Sequence, residues 1–441
     1  MKSSSCISVI LMAGLVCGLS VKPVRGEGFF AFSQIRGESL PADQIYPKGR
    51  IFPFSFFSAA LEGFSHGGES GYQAALKAYK ADGFTMIGPQ YALNHRAPRD
   101  AASIGLKAIY AIGSDEQGNN WFSFTSDPPS TFDPEEVAQR VTAAVKAVSD
   151  DSTIAWWYLE PEELRSWKPN EMLYLETVSN AIRNADPLKR PIWMYEQNHR
   201  DAKGLLPLLK YLDVCGKGAY VNYAHQRESR IWVRWTLEQE VKASREAERR
   251  GVIPILVPEM FEQPPAGTEF LVPTWVRHDV YLGLVFGAKG IVVYSMAPRQ
   301  GFSAHEDYYT AYAKAAREIT GEQGFGQVFL FGETRDDLRI EVTGGPRTIM
   351  QADTFGAGLG RSLEYPSIAF YNAAYGKDRY LFVVNSANEA VKIRVSGLPP
   401  VRVVIQDLFD KSNQTIVESG QFDSSFKPLE VKGWLFAPAG Q

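Results

Sequence analysis

Short apolar runs alternate with longer amphipathic segments between residues 50 and 321 of this chain. Eight of the runs have the length of a β-strand, and each is followed by a segment whose apolar residues recur at helical spacing. This alternation is typical of βα units, in which parallel strands lie inside a layer of helices. The predicted strands are residues 51–57, 84–88, 107–112, 154–159, 191–195, 213–220, 253–257 and 290–294.

Helix signals occur between these strands. Asp133 can cap a helix N-terminus, Pro134 suits the first helical turn, and Gly251 can end a long charged helix. The predicted helices are residues 72–80, 101–105, 133–148, 170–184, 205–212, 229–250, 275–286 and 305–319.

The number of alternations decides between two α/β architectures. Eight βα units within residues 50–321 match a (β/α)8 TIM barrel, which typically has about 250 residues. An open doubly wound sheet is the alternative, but it favours a glycine-rich phosphate loop after the first strand. The segment IFPFSFFSAALEGF contains no such loop. We therefore predict a barrel at residues 50–321, preceded by an irregular segment at residues 27–49.

The pattern changes after Gly321. Helical periodicity ends, and short alternating runs are separated by Gly, Asn, Asp and Pro turns. Strands at this spacing are typical of an antiparallel β-sandwich. We predict such a domain at residues 322–441. Its predicted strands are QVFLFGE, LRIEVTG, SIAFYNAA, RYLFVVNSA, AVKIRVSG, VRVVIQDL and GWLFAPA.

Composition and the N-terminus restrict the class of protein. Hydrophobic residues make up 45% and charged residues 22%, as in globular proteins, and a net charge of −4 gives no electrostatic signature of nucleic-acid binding. Residues 1–26 have the pattern of a secretory signal: Lys2, an apolar run at residues 7–19, and small residues up to Gly26. The apolar run is too short to span a bilayer. We expect a secreted or periplasmic mature protein with no membrane span.

Cysteine usage agrees with this interpretation. Cys6 and Cys17 lie within the predicted signal, so the mature chain keeps Cys215 alone and cannot form an internal disulfide. Cys215 lies in an apolar strand-like run, where a buried and unreactive thiol is expected.

Two glutamates end predicted strands. Glu160 follows the fourth strand in IAWWYLEPEE, and Glu259 follows the seventh strand in IPILVPEMF. The active site of a (β/α)8 barrel lies at the C-terminal ends of its strands, and strands four and seven lie on facing sides. Hydrolysis of a glycosidic bond requires two carboxyl groups, one to protonate the leaving oxygen and one to stabilise or attack the sugar. The pair therefore predicts a glycoside hydrolase.

The neighbouring residues suggest a role for each carboxyl group. Trp156 and Tyr158 share a strand face with Glu160, and an aromatic setting would raise the pKa of its carboxyl, as an acid catalyst requires. A hydrogen bond from Tyr220 or Tyr223, after the sixth strand, would keep Glu259 ionised, as a nucleophile requires.

These motifs resemble the clan A retaining glycoside hydrolases. In those enzymes the acid/base ends strand four, commonly in Asn-Glu-Pro, and the nucleophile ends strand seven. Glu160 and Pro161 match the motif, whereas Leu159 replaces an Asn that ordinarily contacts the sugar. The resemblance implies a retaining enzyme for a β-linked carbohydrate, with Tyr220 or Tyr223 and Tyr294 near the sugar. Leu159 leaves a second hypothesis open, a catalytically inactive barrel that binds glycans.

Other residues are candidates for substrate contacts or rival roles. Glu162 and Glu163 could act in place of Glu160, or could simply begin a helix, and either glutamate of the main pair could be a solvated or salt-bridged residue. The proposed substrate contacts, besides the three tyrosines, are Trp156, Tyr158, Glu196, His95 and Trp121, and further exposed aromatic candidates are Phe122 and Trp167.

Three histidines follow strands five, six and eight. They are His199, His225 and His305, which would allow a non-glycosidic hydrolase with a histidine at the barrel rim. The chain contains no HExxH spacing, no GxSxG motif and no phosphate loop. We therefore expect neither a metal nor another cofactor, and a carbohydrate as the binding partner.

Overall fold

A computed structural model describes residues 39–57, 68–90, 96–114, 120–122, 132–223, 230–249, 251–297, 299–351 and 363–438. The predicted signal at residues 1–26 lies outside these ranges. Within the described ranges, no helix has both the length and the apolar character needed to cross a membrane.

The first part of the chain is a mixed α/β fold around a parallel sheet. Its strands are β1 (Phe54–Phe56), β2 (Met86–Gln90), β3 (Lys107–Ile112), β4 (Ile154–Leu159), β5 (Ile192–Glu196), β6 (Val214–Ala219), β7 (Ile253–Pro254), β8 (Val257–Pro258) and β9 (Ile291–Val293). The helices between and after them are α1 (Gly68–Ala81), α2 (Arg96–Ser103), α3 (Pro134–Ala147), α4 (Pro169–Ala185), α5 (Ala202–Leu209), α6 (Trp232–Glu246), α7 (Val272–Val285) and α8 (His305–Thr320).

The strands pair in chain order. Strands β2, β3, β4, β5, β6 and β7 are neighbours in one parallel sheet, and β8 also pairs with β6. Strands β1 and β9 form a separate parallel pair. The N–H of Val292 donates to the carbonyl of Leu256 at 2.9 Å, and the N–H of Thr85 donates to the carbonyl of Phe54 at 2.9 Å. The predicted parallel arrangement is confirmed as a half-barrel, and complete closure remains a prediction.

Several predicted elements differ from the structure. The predicted seventh strand is divided into β7 and β8, and between them the N–H of Ile255 still donates to the carbonyl of Cys215 at 2.9 Å. The predicted helix at residues 229–250 is shorter, since α6 ends at Glu246 and Ala247 is extended. Gly251 does not cap that helix; it lies in a turn with φ +82° before β7.

Side chains of β4 alternate between two buried layers. Trp156 and Tyr158 belong to the cluster inside the sheet, together with Trp193 of β5. Trp157 and Leu159 belong to the cluster that the sheet shares with α3, α4 and α5. This confirms the predicted alternation along the strand and places the side chain of Leu159 among the helices.

The segment QVFLFGE, predicted as a strand, forms most of helix α9 (Phe325–Phe331). Phe329 of this helix packs on Phe382 at 4.6 Å and on Tyr371 at 5.6 Å between ring centroids. A short apolar run gives no periodicity that separates a buried helix from a buried strand. Here the packing of aromatic side chains selects the helix.

The remainder of the chain is an antiparallel sheet region. Its strands are β10 (Glu333–Thr334), β11 (Arg339–Gly344), β12 (Thr348–Gln351), β13 (Leu363–Pro366), β14 (Ile368–Tyr375), β15 (Asp378–Asn385), β16 (Val391–Ser396), β17 (Val403–Asp407), β18 (Gln414–Val417), β19 (Gln421–Phe426) and β20 (Val431–Pro438). They form a six-stranded sheet (β10-β14-β15-β20-β17-β18), a three-stranded sheet (β11-β16-β19) and the pair β12-β13. Leu381 of the larger sheet and Ile393 of the smaller sheet share one buried cluster.

Candidate active site

A tight turn after β4 positions Glu160. The N–H of Glu160 donates to the carbonyl of Ile112 at 2.9 Å, and the Tyr174 hydroxyl donates to the carbonyl of Glu160 at 2.8 Å. Gly113 has φ +132°, and a Cβ at this position would lie 1.9 Å from the Glu160 carbonyl oxygen. Glycine at residue 113 is therefore required for the turn to approach β3 so closely.

A cavity of about 710 Å³ opens beside this turn, at the C-terminal ends of the parallel strands. Its volume lies within the range of about 300–1,000 Å³ typical of ligand sites. The lining residues are Asn120, Phe122, Glu160, Pro161, Glu162, Glu163, Tyr195, Gln197, Asn198, His199, Tyr220, Tyr223, Phe261, Tyr294 and Arg299.

Aromatic side chains form one wall of the cavity. The rings of Tyr195 and Tyr220 are nearly parallel, with 6.0 Å between centroids, and their hydroxyl groups hydrogen-bond to each other. Tyr294 and Phe261 lie 5.7 Å and 5.0 Å from the Tyr220 ring. A Cβ on Gly218 would lie 2.6 Å from the Tyr195 hydroxyl, so glycine in β6 leaves room for this wall. Such aromatic surfaces, with hydroxyl groups at their edges, suit sugar rings.

Three carboxyl groups from one turn line the cavity. Glu160 is 8% exposed, and Glu162 and Glu163 follow it directly after Pro161. Burial raises the pKa of Glu162 to about 7; a hydrogen bond with Tyr158 lowers this pKa, and the negative charges of Glu163 and Glu160 raise it. A carboxyl group that holds its proton near neutral pH can act as a general acid.

Glu163 is held in an uncommon backbone conformation. Its φ is +60°, its N–H donates to the carbonyl of Tyr195 at 3.2 Å, and its carboxylate accepts a hydrogen bond from Gln197 Nε2 at 3.3 Å. Left-handed conformations of residues other than glycine carry strain and cluster at functional sites. The hydrogen bonds of Glu160 to Ile112 and Tyr174, together with that of Glu163 to Tyr195, anchor the turn that carries the three glutamates to β3, α4 and β5.

Glu259 is placed differently from Glu160. Its side chain is 3% exposed and does not line the cavity. Its carboxylate accepts hydrogen bonds from the backbone N–H groups of Asn222 at 2.5 Å and of Tyr223 at 3.1 Å. The donors observed after the sixth strand are thus main-chain groups, whereas the sequence suggested a tyrosine hydroxyl. Burial raises the pKa of Glu259 to about 7, and the Arg230 charge and these two N–H groups lower it.

A buried polar chain connects Glu259 to the C-terminal sheet region. Arg230 binds Asp279 through two hydrogen bonds, with Nε 3.0 Å from Oδ1, and donates to Asn222 Oδ1 at 3.1 Å. His278 lies 2.9 Å from Asp279 Oδ1 and 3.0 Å from the hydroxyl of Ser386. These side chains are buried and do not line the cavity, so their contacts fix the position of Asn222 rather than face a substrate.

Some predicted contact residues lie away from the cavity. Trp156 is fully buried and donates from Nε1 to the carbonyl of Tyr46 at 3.1 Å, and Tyr158 is fully buried beneath Glu162. Glu196 is fully buried and paired with Arg200, and burial raises its pKa to about 8.

The remaining candidates are divided between the cavity and its surroundings. Tyr220, Tyr223, Tyr294, Phe122 and His199 line the cavity. Trp121 is half-buried and does not line it, and Trp167 is exposed. His305 contacts the carbonyl of Met296 at 3.1 Å. His95 and His225 lie outside the described residues.

Several lining residues are not marked by any motif in the sequence. Asn120, Gln197, Asn198, Phe261 and Arg299 all lie in loops after strands. Position after a strand was the one available signal, and it applies equally to many loop residues that do not reach the cavity.

Comparisons with known proteins show the fold. No family model and no curated protein matches the chain. An α-amylase from Geobacillus thermoleovorans complexed with acarbose superposes with a TM-score of 0.53 at 10% identity, covering 88% of this chain and 99% of that one. An Anoxybacillus α-amylase gives 0.54 at 11% identity, covering 89% and 99%. A family 39 glycoside hydrolase from Bacteroides cellulosilyticus gives 0.54 at 11% identity, covering 88% and 82%. At these identities the likeness is one of architecture, and the chain has the fold of these glycoside hydrolases.

Proposed function

We propose that this protein is a glycoside hydrolase whose active site is the cavity at the strand ends. The observation that carries the proposal is the juxtaposition of Glu160 with a wall of tyrosines in a cavity of sugar-binding size. In a barrel, catalytic residues come from the C-terminal ends of the strands. The architecture shared with glycoside hydrolases supports the same class of reaction.

In the proposed mechanism, Glu160 is the acid/base and Glu259 is the nucleophile of a retaining reaction on a β-linked glycan. The Pro161 turn fixes the carboxyl of Glu160 at the cavity wall. Burial raises the pKa of Glu259 to about 7, and the charge of Arg230 and two backbone N–H groups lower it towards the ionised form, which attack on the sugar requires. Tyr220, which lines the cavity, would contact the sugar.

The proposed architecture is a closed barrel at residues 50–321 followed by a β-sandwich at residues 322–441, with residues 27–49 as a lead-in. Hydrogen bonds from Val292 to Leu256 and from Thr85 to Phe54, on the two sides of the β1–β9 pair, support closure. The buried cluster shared by the two antiparallel sheets supports the sandwich. We also propose export after removal of residues 1–26, on the pattern of those residues.

Hydrolysis of a panel of aryl β-glycosides and polysaccharides tests the proposed function. The wild-type protein is compared with Glu160→Gln and Glu259→Gln, and exposed Glu389 gives the matched control Glu389→Gln. We expect loss of at least about 1,000-fold in kcat for each active-site variant, because removing general-acid or nucleophilic catalysis costs this much or more. Full activity in both variants would contradict the proposal.

The burial of Glu259 favours a second candidate function, a barrel that binds glycans without cleaving them. Its carboxylate is bound by main-chain N–H groups and does not line the cavity. Calorimetry with the same polysaccharides separates the two candidates. Binding without turnover that is unchanged in Glu259→Gln indicates the binding protein, whereas turnover that this variant abolishes indicates the hydrolase.

A further inference from the structure

Arg299 projects from the loop after β9 and lines the cavity. Its guanidinium carbon lies 4.6 Å from the centroid of the Phe261 ring and 5.6 Å from that of Tyr294. Burial and the charge of Glu162 raise the pKa of Tyr294, and the neighbouring charge of Arg299 lowers it. Two aromatic rings therefore fix the direction of this exposed side chain, which then loses less conformational entropy on binding a ligand.

The charge of Arg299 has no carboxylate partner within the part of the chain that the structure describes. Other arginines near the strand ends are paired: Arg200 binds Glu196, and Arg230 binds Asp279. Arg299 takes part in no salt bridge among the described residues, although it lines the same cavity as three glutamates. Its remaining N–H donors are thus free to bind a ligand.

The charges of the lining residues are separated across the cavity. Glu160, Glu162 and Glu163 come from the turn after β4, whereas Arg299 follows β9. Four steps separate the strand that precedes the glutamates from the strand that precedes Arg299. Strand β4 pairs with β5, β5 with β6 and β6 with β8, and backbone hydrogen bonds join β8 to β9. The other basic candidate, His199, has a pKa lowered by burial and by the neighbouring charges of Arg200 and Lys217. Among the described lining residues, Arg299 alone supplies a fixed positive charge.

We propose that the glycan bound in this cavity carries a uronosyl carboxylate, and that Arg299 is the residue that binds it. This inference rests on the proposed function of the cavity as a glycan site. The planar guanidinium matches a carboxylate in a two-point hydrogen-bonded arrangement, which an ammonium group cannot reproduce. The acidic turn with Glu160, Glu162 and Glu163 lies at the other end of this series of strands, so an acidic sugar is held with its charged group towards Arg299. This restricts the orientation in which its glycosidic bond meets Glu160.

Matched acidic and neutral probes test the inference with the full chain. The probes are alginate and glucuronoxylan, each paired with its carboxyl-reduced form, together with a sulfated glucan and its desulfated form. Binding is measured by calorimetry and cleavage by release of reducing ends. The protein is used as the wild type, Arg299→Met and Arg299→Lys. Arg402, an exposed arginine of the C-terminal sheet region, gives the control Arg402→Met.

The expected result is that one uronate polysaccharide binds and is cleaved about 10- to 100-fold better than its reduced form, the factor that one charge-assisted hydrogen-bonded contact provides. Arg299→Met should remove this preference, Arg299→Lys should restore only part of it, and Arg402→Met should leave it unchanged. A preference for the sulfated glucan that depends on Arg299 would overturn the assignment of a carboxylate and would indicate a sulfate ester as the ligand of Arg299.

Three further results would overturn the inference. If neutral probes are cleaved as well as acidic ones and the cleavage depends on Glu160, the cavity is a glycosidase site and Arg299 does not select an anion. An acidic preference that survives in Arg299→Met assigns the recognition to other residues. If no probe of either kind binds or is cleaved, the proposed function fails as well.

Discussion

The replacement Glu259→Gln should change how the stability of the protein depends on pH. Burial raises the pKa of Glu259 from about 4.5 to about 7 in the folded state. The folded chain therefore binds this proton more tightly than the unfolded chain does. The stabilisation that this bound proton gives to the fold is present at low pH. It is lost as the pH rises from about 4.5, the pKa in the unfolded chain, to about 7, the pKa in the folded chain.

The size of this effect follows from the shift. A difference of one pKa unit corresponds to about 1.4 kcal/mol. The rise of the Glu259 pKa from about 4.5 to about 7 therefore lowers the free energy of unfolding of the wild type by about 3 kcal/mol between pH 4 and pH 8. A glutamine does not titrate, and the variant lacks this slope. Its amide oxygen can still accept one of the two N–H groups that bind the carboxylate, so the variant should fold.

Urea denaturation followed by circular dichroism at several pH values between 4.5 and 8 measures the effect. The quantity of interest is the free energy of unfolding of the wild type minus that of Glu259→Gln at each pH. The contributions of the other titrating groups to the free energy of unfolding cancel in this difference. We expect the difference to fall by about 3 kcal/mol across the interval. The exposed substitution Glu389→Gln, made in parallel, is the control for removing one negative charge. A flat difference for Glu259→Gln would refute the inference that this carboxyl is buried and poorly compensated.

Two further substitutions test the supports of the site. Gly113→Ala places a Cβ 1.9 Å from a carbonyl oxygen, so it should abolish glycosidase activity and destabilise the fold. Gly267 has φ +81°, but no atom lies within 4 Å of an added Cβ. Gly267→Ala therefore measures the backbone cost alone, about 1 kcal/mol in thermal unfolding. Equal effects of the two would show that the close approach at Gly113 is unimportant. Arg230→Met leaves Asp279 buried without its charge partner and should cost about 3–5 kcal/mol in urea denaturation, whereas Arg394→Met, which breaks an exposed pair, should leave the stability nearly unchanged.

Local patterns in the sequence predicted the parallel core well. The bounds of β3 and β4 agree with the predicted strands, because both are continuous apolar runs that end at clear breaks. The alternation along β4 also predicted that Trp156 and Tyr158 share a face. It could not predict that both are covered, since burial depends on Tyr46 and on side chains of other strands.

The details of the site depend on contacts between distant segments. The main-chain donors to Glu259 come from residues 222 and 223, and no side-chain pattern marks a backbone N–H as a ligand. Arg299 joins the cavity because it stacks on Phe261 and Tyr294. Leu159, which departs from the Asn of the clan A motif, packs among the helices and does not line the cavity. The side chain at residue 159 is therefore not part of the cavity lining.

The cavity beside Glu160 is proposed to cleave glycosidic bonds. This is tested by the rate of glycoside hydrolysis by the wild type and by Glu160→Gln, with folding of both checked by circular dichroism. We predict measurable turnover by the wild type and a loss of at least about 1,000-fold in the variant, on the leaving groups that most need protonation. Equal turnover by two equally folded proteins would contradict the proposal.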